Sequence, residues 1–366
     1  MLNGSSHITR HNSLIVFVLM SISTHAFAQQ AKYECENVDL RREAVKKVSN
    51  PLKAAELQQY FTPQANEQLN LGFCFAHVMG TAAALKHRIT PSRLSIANRV
   101  IDSKAMEAYF KRDKDIDEYL VNGTVLEDAL DAVNGQKVCL EKDLPTRPQT
   151  FVSTRFTPEK MNSWAESYLE LRQMHAHLYA SQALPHDEQG VEARKKLENA
   201  LCKEHSVQRL FSNLYPHEIA GILWEARDRS FPELLTQLEE KNCRGRMIDV
   251  PKFKIQKRSQ AKELPLSFVM HQAMNRHQPV VYGFVAPENR NAEPRVGHAM
   301  AIVGREKVGK RCYFVALNSW GASGCASRGP GYFATNPADV LCRNDGTVLL
   351  SEEAIADTGN EIAVFE

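Results

Sequence analysis

The sequence lacks the features that mark several large functional classes. Its charge is nearly balanced, with 45 Lys and Arg residues against 43 Asp and Glu residues and a net charge of +2, so neither a nucleic-acid surface nor a polybasic membrane surface is expected. It contains no CxxC or HExxH motif and no glycine-rich phosphate loop, so no metal and no other cofactor is expected. Only 18 glycines and 16 prolines occur in 366 residues, which excludes a collagen-like or low-complexity chain.

Long apolar runs are scarce too, and the one that stands out lies near the N-terminus. Residues 14–20 are apolar but too few to cross a bilayer, which takes ~20 apolar residues. Arg10 precedes the run, and a small-x-small site ending at Ala28 follows it. This pattern is typical of a secretory signal peptide, so we expect residues 1–28 to be cleaved and residues 29–366 to be periplasmic or extracellular, without membrane attachment. An uncleaved anchor is the alternative.

All eight cysteines lie beyond the expected cleavage site. In an oxidising compartment most of them should pair. If one is reserved for chemistry, at most three disulfides form and one thiol is left over. Spacing alone does not fix the connectivity, but Cys325 with Cys342 and Cys202 with Cys243 are the pairs that we expect.

Cys74 is the cysteine whose surroundings indicate chemistry. Residues 78–85 are small and apolar and predict a buried helix with Cys74 in its first turn. The unpaired N–H groups and the positive dipole end at that point should favour thiolate over thiol. A lone cysteine at a helix start is also compatible with a structural role, so a base and a residue that orients the base must be found.

Both partners are found on two later strands. His298 heads an apolar strand that ends at Gly304, and residues 313–317 predict another strand, which is followed by Asn318. Adjacent strands can bring residues 20 apart in the sequence together, so the sequence predicts His298 and Asn318 side by side.

Taken in order, four stretches of the chain resemble the papain-like cysteine proteases, the family that includes the cathepsins. They are a Gln-x-x-x-Gly-x-Cys pattern from Gln68 to Cys74, the segment from Gly123 and Thr124 to Pro145, the Gly-His-Ala of 297–299, and Asn318-Ser319-Trp320-Gly321 with Gly331-Tyr332-Phe333. The resemblance covers roughly residues 60–150 and 250–335.

The resemblance implies an α+β fold in two lobes, with the site in the cleft between them. One lobe is largely helical and carries Cys74, and the other is an antiparallel, barrel-like sheet that carries His298 and Asn318. The implied activity is hydrolysis of peptide bonds in peptide or protein substrates by a cysteine endopeptidase. Cys74 is then the nucleophile, His298 the acid and base, and Asn318 the orienting residue.

Further roles follow from the same resemblance. Gln68 and the backbone N–H of Cys74 are expected to form the oxyanion hole. Trp320 is expected to pack over the contact between His298 and Asn318. The expected substrate-binding residues are Gly123, Thr124, Gly297, Ala299 and Trp320.

The chain also departs from the family. Phe75 stands where a Trp is usual, Thr124 replaces a second glycine, and Gly297 stands where an acidic or polar residue is common. None of these changes removes a catalytic atom, but together they leave the substrate preference open.

The largest departure is the separation between Cys74 and His298, which exceeds the ~130–150 residues typical of papain-like chains. The excess falls at about 150–250, where helical periodicity between Met161 and Leu178 and further helices predict a mainly helical insertion within one peptidase domain. Its simplest interpretation is a structural elaboration. A lid, or a docking surface for a protein inhibitor or partner, is the alternative hypothesis.

Three other functions remain open on the sequence. A transpeptidase or amidase would use the same acyl chemistry with another acceptor. A papain-like binding protein without activity would keep the fold alone. A scaffold in which cysteines serve only as staples would have Cys74 in a disulfide.

Overall fold

The computed structural model describes residues 35–65, 74–101, 126–146, 171–178, 213–258, 265–287 and 297–366, together with residues 192, 195–199, 201 and 211. Residues 37–366 form one compact unit, and residues 1–36, of which 35 and 36 are described, form another. The expected signal peptide, Gln68, Gly123, Thr124 and Cys202 lie outside the described residues.

The protein is of the α+β class. Its helices are α1 Leu40–Lys46, α2 Pro51–Tyr60, α3 Cys74–His87, α4 Arg93–Ile101, α5 Leu126–Val133, α6 Pro216–Glu225, α7 Phe231–Cys243, α8 Leu266–Asn275, α9 Gly324–Arg328 and α10 Glu352–Thr358. Its strands are β1 Val38–Asp39, β2 Lys137–Cys139, β3 Met247–Asp249, β4 Phe253–Lys257, β5 Val280–Val285, β6 Gly297–Val308, β7 Arg311–Leu317, β8 Val340–Cys342, β9 Thr347–Ser351 and β10 Gly359–Phe365.

The larger sheet is antiparallel, in the order β4-β10-β5-β6-β7-β9-β8, and β1 adds to β6 outside this order. The central strands read as almost unbroken apolar runs, and both of their faces are buried. β1 approaches β6 so closely that a Cβ at Gly304 would lie 2.3 Å from the carbonyl oxygen of Val38. Glycine is therefore required where the extra strand joins.

Helix α3 begins at Cys74, which confirms the predicted helix and places this residue in its first turn. Every residue from Phe75 to Leu85 is buried, because the helix is enclosed by the sheet and by its helical neighbours. The small side chains permit close approach, and a Cβ at Gly80 would lie 2.6 Å from the Tyr60 hydroxyl. α3 packs against β6, the strand that carries His298.

The segment at about 150–250 is helical in most of its described residues. Residues 171–178 are helical, and α6 and α7 follow, each with Pro in its first turn; α7 starts with a capping box formed by Ser230 and Glu233. The segment ends in strand β3, which pairs with β2 to form a small second sheet.

The predicted Cys202–Cys243 disulfide is wrong, because Cys243 bonds to Cys139 instead. The pairing of β2 with β3 brings Cys139 opposite Met247, just beyond the end of α7. This bond therefore ties α7 to β2. The predicted bond between Cys325 and Cys342 is confirmed.

Cys35 and Cys312 are disulfide-bonded as well. Six disulfide-bonded cysteines among the described residues are typical of a protein from an oxidising compartment. Within the ranges given above, no helix combines the length and the apolarity that a membrane span needs.

Candidate active site

His298 and Asn318 lie side by side, as the strand pattern predicts. β6 and β7 pair so that Ala301 is opposite Leu317, which puts the start of β6 beside the end of β7. The Nε2 atom of His298 is 2.9 Å from Oδ1 of Asn318. Because an amide oxygen only accepts hydrogen bonds, Nε2 carries the proton and Nδ1 has the free lone pair.

Aromatic rings enclose this hydrogen bond. The Trp320 ring stacks on the His298 imidazole at a centroid distance of 3.8 Å, and the Phe284 ring meets the imidazole edge-on at 5.7 Å. His298 and Asn318 are buried, at 6% and 1% exposure. The rings exclude water from the contact and fix the imidazole plane, which agrees with the position predicted for Trp320.

A glycine makes this packing possible. A Cβ at Gly324 would lie 2.4 Å from Cβ of Trp320 and 3.3 Å from Nδ2 of Asn318. Any larger residue in the first turn of α9 would push the indole off the imidazole. Sequence reasoning gave Gly324 no role, since nothing in its local pattern shows that it meets Trp320.

Cys74 is the one free cysteine in the described part of the chain, and its side chain is partly buried. This finding contradicts the scaffold hypothesis, which requires Cys74 in a disulfide. Backbone groups of Ala299, Phe75 and Cys74 lie close enough to the thiol to lower its pKa. Since Ala299 directly follows His298, the thiol lies against the start of β6.

Burial governs the protonation of the Cys74 thiol and of the His298 imidazole. It raises the pKa of the Cys74 thiol, and the three backbone groups offset this only in part. The backbone groups at the helix start do favour thiolate, as expected, but the loss of hydration outweighs them. Burial also lowers the pKa of His298 to about 4, against the opposing effect of the Asn318 hydrogen bond and with a further lowering by the charge of Arg328.

In the free protein the thiol and the imidazole are therefore both uncharged at neutral pH. Burial disfavours the charged form of each group, so a charge on either one would need compensation from a nearby opposite charge.

The predicted substrate-binding residues are only partly described. Ala299 is buried against the thiol, and Gly297 is exposed at the start of β6, where a Cβ would lie 3.3 Å from the carbonyl oxygen of Phe284. α5, which begins just after Gly123 and Thr124, reaches Gly283, the residue paired with Ala299.

Arg328 is a residue near this site to which sequence reasoning assigned no role. Its guanidinium lies over the Trp320 ring at 5.1 Å and over the Tyr332 ring at 5.3 Å. A signal was present in the sequence, because Arg328 stands in a segment bounded by Trp320 and Tyr332.

No cluster of three or more His, Cys, Asp or Glu side chains suited to a metal ion occurs in the portion that the structure covers. Compared over its full length with protein-family models and with curated proteins, the sequence finds no match. The function of this chain must therefore be argued from Cys74, His298, Asn318 and the residues that surround them.

Proposed function

We propose that this protein is a papain-like cysteine endopeptidase, exported by its signal peptide, that hydrolyses peptide bonds through Cys74, His298 and Asn318. The observation that carries the proposal is the hydrogen bond from His298 Nε2 to Asn318 Oδ1, on a strand against which α3, the helix of the free thiol Cys74, packs. A nucleophile, a base and a group that orients the base are the parts that covalent acyl transfer requires. A cysteine with only a structural role would need neither the base nor the group that orients the base.

Acylation begins when the Cys74 sulfur attacks the carbonyl carbon of the substrate. Nδ1 of His298 takes the thiol proton as the carbon–sulfur bond forms, and the Asn318 oxygen stabilises the imidazolium through Nε2–H. The imidazolium then gives its proton to the leaving amine as the carbon–nitrogen bond breaks. The product is a thioester at Cys74 and a free amine.

Deacylation repeats these steps with water. Nδ1 of His298 takes a proton from the water that attacks the thioester carbonyl, and the carbon–sulfur bond then breaks and Cys74 regains a proton. The backbone N–H of Cys74 and the side chain of Gln68 are the proposed oxyanion donors. Loss of one such donor typically lowers kcat by ~10²–10³.

The first test is the reactivity of the thiol. His298 stays neutral down to about pH 4, so it can assist alkylation of Cys74 at pH 5.5, where an ordinary thiol is almost fully protonated. We expect iodoacetamide to label Cys74 at this pH in the wild type and not in His298→Gln. Peptide mapping identifies the labelled site by separating the peptide that contains Cys74 from the peptide that contains Cys202. Equal labelling of the two forms would contradict the role of His298.

The second test is a peptide library incubated with the wild type and with Cys74→Ala. The proposal requires cleavage products from the wild type only. Products joined to an added amine in place of water would identify a transpeptidase. Rapid alkylation without turnover of any peptide or amide would identify a binding protein.

A further inference from the structure

Arg328 presents a charge beside the proposed catalytic pair. Arg328 is exposed. The central carbon of its guanidinium lies 5.1 Å from the centroid of the Trp320 ring and 5.3 Å from that of the Tyr332 ring. Within the part of the chain that the structure describes, its side chain makes no ion pair and no hydrogen bond. Its N–H donors are therefore not used by the described residues, and their fork matches a carboxylate.

The contacts that run from His298 through Trp320 to Arg328 indicate on which side of the scissile bond the charge of Arg328 lies. Trp320 stacks on the imidazole of His298 at 3.8 Å, and Arg328 lies over the same indole. Since His298 must give its proton to the leaving amine, the leaving group passes along the imidazole and towards Trp320. An extended chain advances ~3.3–3.6 Å per residue, so Arg328 is within reach of the first or second residue after the scissile bond.

The position of Arg328 is fixed by the structure. It ends α9, a helix of 5 residues, and the disulfide from Cys325 to Cys342 holds this helix to β8. The close contact of Gly324 with Trp320 holds its other end. The charge of Arg328 also acts on the site, since it lowers the pKa of His298.

We infer that Arg328 is a specificity-determining residue that binds a carboxylate on the leaving-group side of a peptide substrate. The inference rests on the proposed peptidase function. The carboxylate is either the side chain of an Asp or Glu one or two residues after the scissile bond or the C-terminal carboxylate of a short substrate.

The experiment uses a peptide that the wild type cleaves, made in matched pairs. One pair carries Asp or Asn at the first or second residue after the scissile bond. The other ends two residues after that bond, with a free carboxylate or an amide. We expect kcat/KM to be about tenfold higher for the carboxylate in at least one pair, and the pair that responds identifies the source of the carboxylate.

The variants are Arg328→Gln, Arg328→Lys and, as a control, Lys310→Gln. Lys310 is also exposed and follows the far end of β6, so its change removes a positive charge away from the site. We expect the kcat/KM ratio of the carboxylate peptide to its neutral partner, in the pair that responds, to fall to about one in Arg328→Gln. The ratio should be intermediate in Arg328→Lys, which keeps the charge without the fork of N–H donors. It should be unchanged in Lys310→Gln. A ratio at fixed pH cancels any effect of Arg328 on the chemistry common to both peptides.

Two failures are distinguishable. A wild type that cleaves the peptides without preferring the carboxylate, or an Arg328→Gln variant that retains the preference, overturns this inference alone. A wild type that cleaves no peptide at all overturns the proposed function together with it.

Discussion

The imidazole of His298 is fixed by three neighbours, each of which constrains it differently. Asn318 holds one ring nitrogen, Trp320 covers a face and Phe284 meets the ring edge-on. This enclosure removes the imidazole from water, so the neutral form is favoured. Two predictions follow at the scale of this residue.

The stability of the protein should depend on pH through His298. Its pKa is about 4 in the folded state against 6.5 for the ordinary group, so between these values only the unfolded chain binds the proton. The free energy of unfolding therefore falls as pH decreases from 6.5 to 4, by about 3 kcal/mol in total, at 1.36 kcal/mol per pKa unit. Denaturation in urea at several pH values should show a shallower fall in His298→Gln. Parallel curves for the two proteins would mean that His298 is not neutral when folded.

Asn318 should act by orienting His298, and two substitutions separate this role from simple packing. Asn318→Ala removes a buried hydrogen bond worth about 1–3 kcal/mol and should lower kcat by about tenfold to a hundredfold. Asn318→Asp still accepts from Nε2–H, and its negative charge favours the imidazolium, so it should raise the pKa of His298. Steady-state kinetics across pH should show more activity in Asn318→Asp than in Asn318→Ala and an acid limb at higher pH. Identical profiles would leave Asn318 with a packing role only.

For these residues the sequence predicted the contact between strands that a short hairpin joins, but not the contacts of side chains that meet only after folding. The placement of His298 beside Asn318 was predictable because a short hairpin joins their strands. The pKa directions were not, since desolvation depends on side chains such as Phe284 and Trp320 that meet the site only after folding. Arg328 was missed although Trp320 and Tyr332 lie on either side of it in the sequence, because the sequence alone does not show that their rings contact its guanidinium.

At the scale of elements, α4 and α7 are joined by a buried ion pair. Glu239 of α7 is 0% exposed and accepts hydrogen bonds from Ser95, Asn98 and Arg99 of α4. The disulfide from Cys139 to Cys243 ties the end of α7 to β2 nearby. The segment at about 150–250 is therefore anchored to the helices beside α3, which fits a structural elaboration better than an independent unit.

Glu239→Gln should destabilise the protein strongly. The substitution keeps the shape of the side chain but leaves the charge of Arg99 buried without its partner, which costs about 3 kcal/mol. Glu192→Gln is the matched control, since its pair with Lys196 is exposed and such helical pairs contribute less than about 0.5 kcal/mol. Urea denaturation measures both free energies of unfolding, and similar small losses would show that the buried pair contributes little.

The helical elements were easier to predict than their connections. Helical periodicity indicated the helices of the segment at about 150–250, and the small apolar run indicated α3. The contact of α4 with α7 and the Cys139–Cys243 bond join positions far apart in the sequence. No local pattern records such contacts, which is why Cys202 was expected to bond instead.

At the scale of the whole molecule, the sheet is completed by its last strand. β10 lies between β4 and β5, with Val364 opposite Lys254 and Ile362 opposite Tyr282. β5 in turn borders β6, the strand of His298. The C-terminal strand therefore supports the site from within the sheet, an arrangement that strand patterns alone do not specify.

Deletion of residues 359–366 should abolish cooperative folding. It removes the partner of both β4 and β5 and opens an apolar strand edge, which promotes aggregation. Ile362→Ala is the graded comparison, since Ile362 is fully buried and its truncation should cost about 2–5 kcal/mol while leaving a folded protein. Circular dichroism with thermal melting distinguishes the two variants. A sharp thermal transition in the deletion variant would refute the supporting role of β10.

The place of β10 in the sheet also sets the timing of the site's assembly. During synthesis the ribosome delivers Cys74 first, His298 much later, and the strand that closes the sheet last. Until that strand enters between β4 and β5, the sheet that carries His298 is incomplete. The hydrogen-bonded pair of His298 and Asn318 is therefore held in a complete sheet only after the whole chain has been made.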